Sequence, residues 1–126
     1  ISVPTVRDSN GLALSSRNKL LDDKYLKIAS SIYKIFKNSK FKNYRNTKSL
    51  ITYLKKRLIN SGIVDIEYIE IRNSKNLEKA IILNNREKLR VFIAAYLKGV
   101  RLIDNYKINW SVSIKSYFCI LYACYR

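Results

Sequence analysis

Histidine is absent from this 126-residue sequence, and glycine, cysteine and acidic residues are scarce. The two cysteines, Cys119 and Cys124, have no histidine to complete a metal site, so we expect no metal centre. Two thiols without a secretory signal are typical of a reducing, cytoplasmic setting. No apolar run approaches the length that crosses a bilayer, so we expect no membrane association. Because Ile1 stands where Met would open a complete chain, we expect the sequence to belong to a longer one.

The scarcity of acidic residues leaves the chain strongly basic, with 25 Lys and Arg against 9 Asp and Glu and a net charge of +16. Such a charge favours a nucleic-acid or polyanion surface. However, the basic residues are spread along the chain, and Lys55-Lys56-Arg57 falls on a predicted solvated helix face. No nucleic-acid-binding signature accompanies them. We therefore interpret the charge as compositional drift and expect no specific nucleic-acid partner.

The apolar pattern predicts two helices in the first half of the chain. Asp22 and Asp23 place two carboxylates where they complement a helix dipole, and apolar residues follow at helical spacing to about Asn38. A second helix is predicted over residues 47–60, with a leucine at every fourth position and Gly62 as its stop.

Alternating residues predict a strand after the second helix. Val64, Ile66 and Tyr68 are expected on one face, and a change of phase then predicts a bulge near Tyr68. The segment 73–85 is predicted to contain a turn and a short helical piece.

A hairpin is predicted towards the end of the chain. Arg90–Leu97 is almost continuously apolar, as in a strand buried on both faces, and Lys98-Gly99 turns the chain into Val100–Asn105. We interpret Asp104 and Asn105 as turn and cap residues rather than ligands. Together these elements predict an α+β fold, with helices packed on a small, mostly antiparallel sheet.

The segment GLALSSRN at residues 11–18 has the residue types of a phosphate-binding loop. It follows a predicted turn at Asp8–Gly11, in which Gly11 is expected to have a positive φ. The hydroxyls of Ser15 and Ser16 can donate hydrogen bonds, and the planar guanidinium of Arg17 fits phosphate oxygens two at a time. A helix beginning close by would add its free N–H groups. On spacing alone, a solvated turn whose serines cap the next helix is the simpler interpretation.

Three stretches together carry a resemblance to a known family: VPTVR…GLALSSRN at residues 3–18, VDIEYIEIR at 64–72 and AAYLKGVRLIDN at 94–105. In this order and spacing they resemble the C-terminal domain of pantothenate synthetase (pantoate–β-alanine ligase). The resemblance covers about residues 1–105 and implies the lid domain of a nucleotidyltransferase-type ligase. Residues 106–126 are then an atypical tail, which could be disordered, pack as an extra element, associate with another surface or be a read-through extension without a role, and we favour the last interpretation.

The resemblance implies an activity and a set of binding residues. The family condenses pantoate with β-alanine through a pantoyl-adenylate intermediate, giving pantothenate, AMP and pyrophosphate from ATP. Residues 14–18 correspond to its KMSKS-like loop, which closes on the ATP phosphates. Leu14, Ser15, Ser16 and Arg17 would contact ATP, with Arg17 neutralising the β- and γ-phosphates, and the backbone of Val6 would meet the adenine. Mg²⁺ would be carried with ATP.

The same resemblance implies that a part of the enzyme is missing. The family's N-terminal domain holds a histidine-containing HIGH-type motif and the pantoate-binding glutamines, and this sequence has no histidine. We expect these residues alone to catalyse nothing and to need that domain, in an enzyme that is a homodimer at full length. Two alternatives are a decayed remnant without activity and a small basic module that binds nucleic acid through its charge and ten tyrosines.

Overall fold

The computed structural model describes residues 4–84 and 87–108, in which two helices pack on one face of a three-stranded antiparallel sheet. In chain order the elements are a 3-10 helix Ser16–Leu20, α1 Asp23–Asn38, a second 3-10 helix Phe41–Asn43, α2 Thr47–Ser61, β1 Asp65–Asn73, β2 Leu89–Leu97 and β3 Val100–Lys107. This arrangement confirms the predicted α+β fold. The larger part of the predicted tail, residues 109–126, lies outside the described residues.

Local capping sets the ends of both helices, close to where the sequence predicts them. Asp22 accepts a hydrogen bond at Oδ1 from the N–H of Tyr25 (3.0 Å), and Asn46 accepts one from the N–H of Ser49 (2.8 Å). Gly62 ends α2 with a φ of +109°, a conformation that glycine adopts without a steric penalty. The predictions that Asp22 and Gly62 mark helix boundaries are both confirmed.

The core lies between the helices and the sheet. Apolar side chains from α1, α2, the connection after α2 and alternate positions of β2 are almost completely removed from water, the largest being Ile32, Phe36, Leu50, Leu54, Leu58, Ile63, Leu89, Val91 and Ile93. Fully burying one such side chain is worth about 1.5–3 kcal/mol relative to leaving it exposed. This core holds the sheet edge that borders the candidate site.

β1 contains the predicted bulge, but its effect on the side chains differs from the prediction. Ile66 pairs with Ala95, whereas Tyr68 pairs with Ala94, so the register shifts between them. Adjacent residues of β2 point to opposite faces, so Ile66 and Tyr68 also lie on opposite faces. Val64 precedes the strand and is exposed. The expectation that all three share one face was wrong because the bulge falls between them.

β2 is buried at every position on the helix side, whereas Ala94 is its one fully buried residue on the other face. Val91 and Ile93 are buried, whereas Arg90, Phe92 and Tyr96 on the other face are half-buried. The helices cover one face of this sheet within residues 4–84 and 87–108, and antiparallel sheets commonly leave the second face in contact with water. The prediction of a strand buried on both faces was therefore wrong for the outer face, except at Ala94.

The connection from β1 to β2 contains no helix in its described part, residues 74–84 and 87–88. Residues 74–76 form a turn, and isolated bridges join Arg72 to Lys79 and Asn46 to Ile82. The predicted short helical piece is therefore replaced by extended chain that pairs with its neighbours.

β3 continues past the predicted end of its strand. The hairpin pairs Leu97 with Val100 across the predicted turn, and the pairing runs on to Arg90 with Lys107. Ile108 follows and is buried. In a sheet of order β1-β2-β3, β3 is an edge strand, and the candidate site lies beside it.

Candidate phosphate-binding loop

Residues 6–14 form a small hairpin that precedes the candidate loop. The N–H of Leu14 donates to the carbonyl of Val6 (2.9 Å), and Arg7 bridges to Ala13. Gly11 closes the turn by donating to the carbonyl of Asp8 (3.1 Å), with the predicted positive φ of +89°. The pairing brings Val6 and Leu14 side by side, and both are exposed large apolar residues, at 64% and 59%.

The serine and arginine residues follow the hairpin directly and face solvent. Ser15 has an extended backbone and caps the 3-10 helix, its Oγ accepting a hydrogen bond from the N–H of Arg17 (3.2 Å). Asn18 donates through Nδ2 to the carbonyl of Ala13 (3.0 Å), which holds the loop against the hairpin. The helix that begins at the loop is the short 3-10 helix Ser16–Leu20, whereas α1 begins only at Asp23.

Arg17 is the cation of this loop that has no partner. Its side chain is exposed, and its guanidinium makes no hydrogen bond or ion pair with any residue of 4–84 or 87–108. Two hydroxyls and a free guanidinium are thus presented on three successive residues. Such a group can bind an anion with several oxygens without first breaking an internal contact.

A pocket of about 180 Å³ lies between the loop and the edge strand β3. Loop residues line one side and β3 the other, with Ile32 of α1 between them; the lining residues are Leu12, Ala13, Leu14, Ser15, Arg17, Asn18, Ile32, Arg101, Leu102, Ile103 and Asp104. Three of the five predicted ATP-contacting residues, Leu14, Ser15 and Arg17, therefore border one cavity. Val6 and Ser16 lie outside its lining.

Arg101 is a second arginine of the pocket, but it already has a partner. Its Nε and Nη2 donate to Oε2 of Glu67 at 3.0 and 2.7 Å. The hydrogen bond to this carboxylate raises the pKa of Arg101 above its ordinary value. Glu67 offsets the charge of Arg101, so Arg17 remains the uncompensated charge at the pocket.

A buried ion pair joins the hairpin to β3. The guanidinium of Arg7 donates to both carboxylate oxygens of Asp104, at 2.7 and 2.9 Å, and also to the carbonyls of Gly11 (3.1 Å) and Asn105 (3.0 Å). Its Cζ lies 4.3 Å from the centroid of the Tyr33 ring. The interpretation of Asp104 and Asn105 as turn and cap residues was wrong, because both belong to β3.

The sequence contains one signal for this pair, which is the phase of Asp104 in its strand. Val100, Leu102 and Asp104 share one phase of an alternating strand, so an inward position is occupied by a carboxylate. A buried carboxylate requires a cation or several donors. The sequence does not show which cation pairs with Asp104, because Arg7 lies 97 positions earlier.

Within the described residues, no group of three or more histidine, cysteine or acidic side chains could hold a metal ion. No helix there is long and apolar enough to span a membrane.

The fold and the loop define a small α+β domain that presents an exposed loop with an unpaired arginine, within the described residues, at a sheet edge. Residues 1–107 match the model of the pantoate-beta-alanine ligase family. The chain therefore belongs to the pantoate–β-alanine ligase family.

Individual relatives agree with this assignment. The chain is 33% identical over 110 residues to a pantothenate synthetase of Christiangramia forsetii, covering 86% of this chain and 39% of the relative. A crystal structure of pantothenate synthetase from Thermus thermophilus superposes with a TM-score of 0.69 at 25% identity, over 85% of this chain and 39% of that one. The chain thus spans about two fifths of the length of these relatives.

A further solved structure is that of a relative with bound ligands. The pantoate-beta-alanine ligase of Francisella tularensis, 36% identical with a TM-score of 0.56, is described as complexed with beta-gamma ATP and beta-alanine. The match covers 85% of this chain and 32% of that protein.

Proposed function

We propose that this chain supplies the ATP-phosphate-binding loop and lid of a pantothenate synthetase. In the complete enzyme, pantoate would attack the α-phosphate of ATP to form pantoyl adenylate and release pyrophosphate. The amine of β-alanine would then displace AMP and give pantothenate. Family membership and the ATP-bound relative support this proposal.

The observation that carries the proposal is the free guanidinium of Arg17 on an exposed loop beside a pocket. In adenylate formation, negative charge develops on the departing pyrophosphate, and a positioned cation stabilises it. Arg17 would take this role, and the hydroxyls of Ser15 and Ser16 would donate to the same phosphate oxygens.

The exposed pair formed by Val6 and Leu14 completes the proposed ATP contacts. The N–H of Leu14 donates to the carbonyl of Val6, so the two backbones lie side by side and both would be within reach of one nucleotide. The backbone at Val6 is our proposed contact for the adenine edge, and Leu14 contributes mainly through its backbone.

The rest of the active site must come from outside these residues. We propose that an N-terminal domain provides the pantoate and β-alanine sites, and that the 126 residues alone have no ligase activity. Mg²⁺ would be carried on the ATP phosphates. A homodimer at full length and a cytoplasmic location remain predictions.

The test is pantothenate formation from pantoate, β-alanine and Mg-ATP by this chain completed with the N-terminal part of a curated relative. Arg17→Ala should lower kcat by about a hundredfold or more, the scale of losing one transition-state donor. Arg57→Ala is the matched control, because Arg57 is an exposed arginine on α2 that lies outside the pocket lining.

Two results would contradict the proposal. Full activity in Arg17→Ala would remove that residue from the mechanism. An equal loss in Arg57→Ala would show that the overall positive charge, and not the loop, matters.

A further inference from the structure

We infer that the Arg7–Asp104 ion pair is a positioning device for the phosphate-binding loop, so that both residues affect ATP use without touching ATP. The inference rests on the proposed function of the loop. It adds two residues to the functional set, from opposite ends of the described chain.

The first argument is connectivity. The backbone of Arg7 forms an antiparallel β-bridge with Ala13, and Ala13 is followed by Leu14 and the Ser15–Arg17 group. The position of Arg7 therefore fixes the point from which the loop starts. Asp104 also lines the pocket, so one member of the pair borders the cavity and the other holds the hairpin that leads into the loop.

The second argument is that the pair is the polar attachment of this segment to the sheet. Among the described residues, the hydrogen bonds of residues 4–21 stay within that segment, except those from Arg7 to Asp104 and to the carbonyl of Asn105. Apolar contacts of Leu12 and Leu21 also hold the segment to the core, but apolar contacts are not directional. Orientation of the loop relative to β3 is therefore set by this guanidinium.

The third argument is burial. The Asp104 side chain is 5% exposed and that of Arg7 16%, whereas the Glu70 and Arg72 side chains of another ion pair are both 30% exposed. A bidentate pair in a largely dry site has one geometry, because any displacement leaves a buried charge without its partner. The ring of Tyr33 on α1 covers the guanidinium and restricts it further.

The test measures kcat/KM for ATP in the enzyme completed with the relative's N-terminal part. Asp104→Asn keeps the shape of the side chain and removes its charge, and should lower kcat/KM by about a hundredfold, the scale of an ångström-sized misplacement of a catalytic group. Glu70→Gln is the matched control, because Glu70 also pairs with an arginine on the sheet but lies outside the pocket lining, and should leave kcat/KM unchanged.

A double-mutant cycle separates positioning from a general loss of stability. If Asp104 acts through the loop, Asp104→Asn should cause little further loss of kcat/KM in an Arg17→Ala background, whereas its effect on the unfolding midpoint should be the same in both backgrounds. If Asp104→Asn does not fold, Arg7→Lys is used in the same cycle, because lysine keeps the charge but cannot reach four acceptors.

The outcomes distinguish the inference from the function on which it rests. A loss in Arg17→Ala combined with normal kcat/KM in Asp104→Asn and Arg7→Lys would overturn the inference alone. Fully additive losses in the cycle would also overturn it, because Asp104 would then act independently of Arg17. An unchanged kcat/KM in Arg17→Ala would refute the proposed function of the loop, and the inference that the ion pair positions this loop for ATP would fall with it.

Discussion

Replacing Gly11 by alanine should destabilise the domain more than the same change at Gly99, because the two glycines differ in their surroundings. Both have a positive φ, +89° at Gly11 and +75° at Gly99. A Cβ at Gly99 would meet nothing within 4 Å, whereas a Cβ at Gly11 would overlap Cδ1 of Tyr33 and lie 3.1 Å from its Cε1 and Cγ. The change at Gly99 adds conformational strain only, and the change at Gly11 adds a steric clash.

The magnitudes follow from these two contributions. A left-handed backbone costs an L-residue about 1–2 kcal/mol, and inserting a methyl group into filled space costs about 1–3 kcal/mol. The free energy of unfolding should therefore fall by about 1–2 kcal/mol in Gly99→Ala and by about 2–5 kcal/mol in Gly11→Ala. Tyr33 also stacks on Arg7, so displacing its ring disturbs the ion pair below the loop.

Urea unfolding of the 126-residue chain, followed by circular dichroism, measures both values. In a Tyr33→Ala background the clash is removed, and Gly11→Ala should then cost about as much as Gly99→Ala. Equal losses for the two alanine variants in the original chain would refute the reasoning. So would a Gly11→Ala penalty that persists without the Tyr33 ring.

Two further predictions concern the core and the outer face of the sheet. Leu54→Ala should lower the free energy of unfolding by about 2–5 kcal/mol, because Leu54 is fully buried. Ile59→Ala on the same helix should lower it by about 0.5 kcal/mol or less, because Ile59 is 48% exposed. Similar urea midpoints for the two variants would contradict this prediction. The hydrogen bond from Arg72 lowers the pKa of Glu70 below its ordinary value of 4.5. The stabilisation from Glu70 should therefore be present above pH 4.5 and be lost as the pH falls through the lower folded-state pKa. Glu70→Gln should flatten this part of the stability–pH curve, and an unchanged acid slope would exclude Glu70 as its source.

The features that the sequence predicted well are those that depend on neighbouring residues. Asp22 caps α1 by accepting a hydrogen bond from the N–H of Tyr25, three positions later, and Gly62 ends α2 by its own backbone conformation. The bulge near Tyr68 was visible because the alternation of apolar residues changes phase there. Ser15 and Arg17 could be assigned from their chemical groups and from the family resemblance, and their role in binding ATP remains a prediction.

The features that the sequence could not provide depend on partners far along the chain. The outer face of β2 also carries apolar residues such as Phe92 and Ala94, so the strand reads as apolar almost throughout, and the packing of the helices determines which face is covered. Asp104 next to Asn105 has the composition of a turn, and its burial becomes clear only when Arg7 is placed beside it. Tertiary pairing therefore overrides local composition at this strand.

The ion pair between Arg7 and Asp104 also has a consequence for the order of folding. It joins positions 97 residues apart, so it is among the contacts of greatest sequence separation in the domain. On a ribosome that adds about 5–20 residues per second, the aspartate follows the arginine by roughly 5–20 s. Before Asp104 is synthesised, the 6–14 hairpin and both helices are already complete in sequence, but β3, to which the hairpin attaches, is not. Contacts of long sequence separation form slowly, so the phosphate-type loop should be fixed in place as one of the last events of folding.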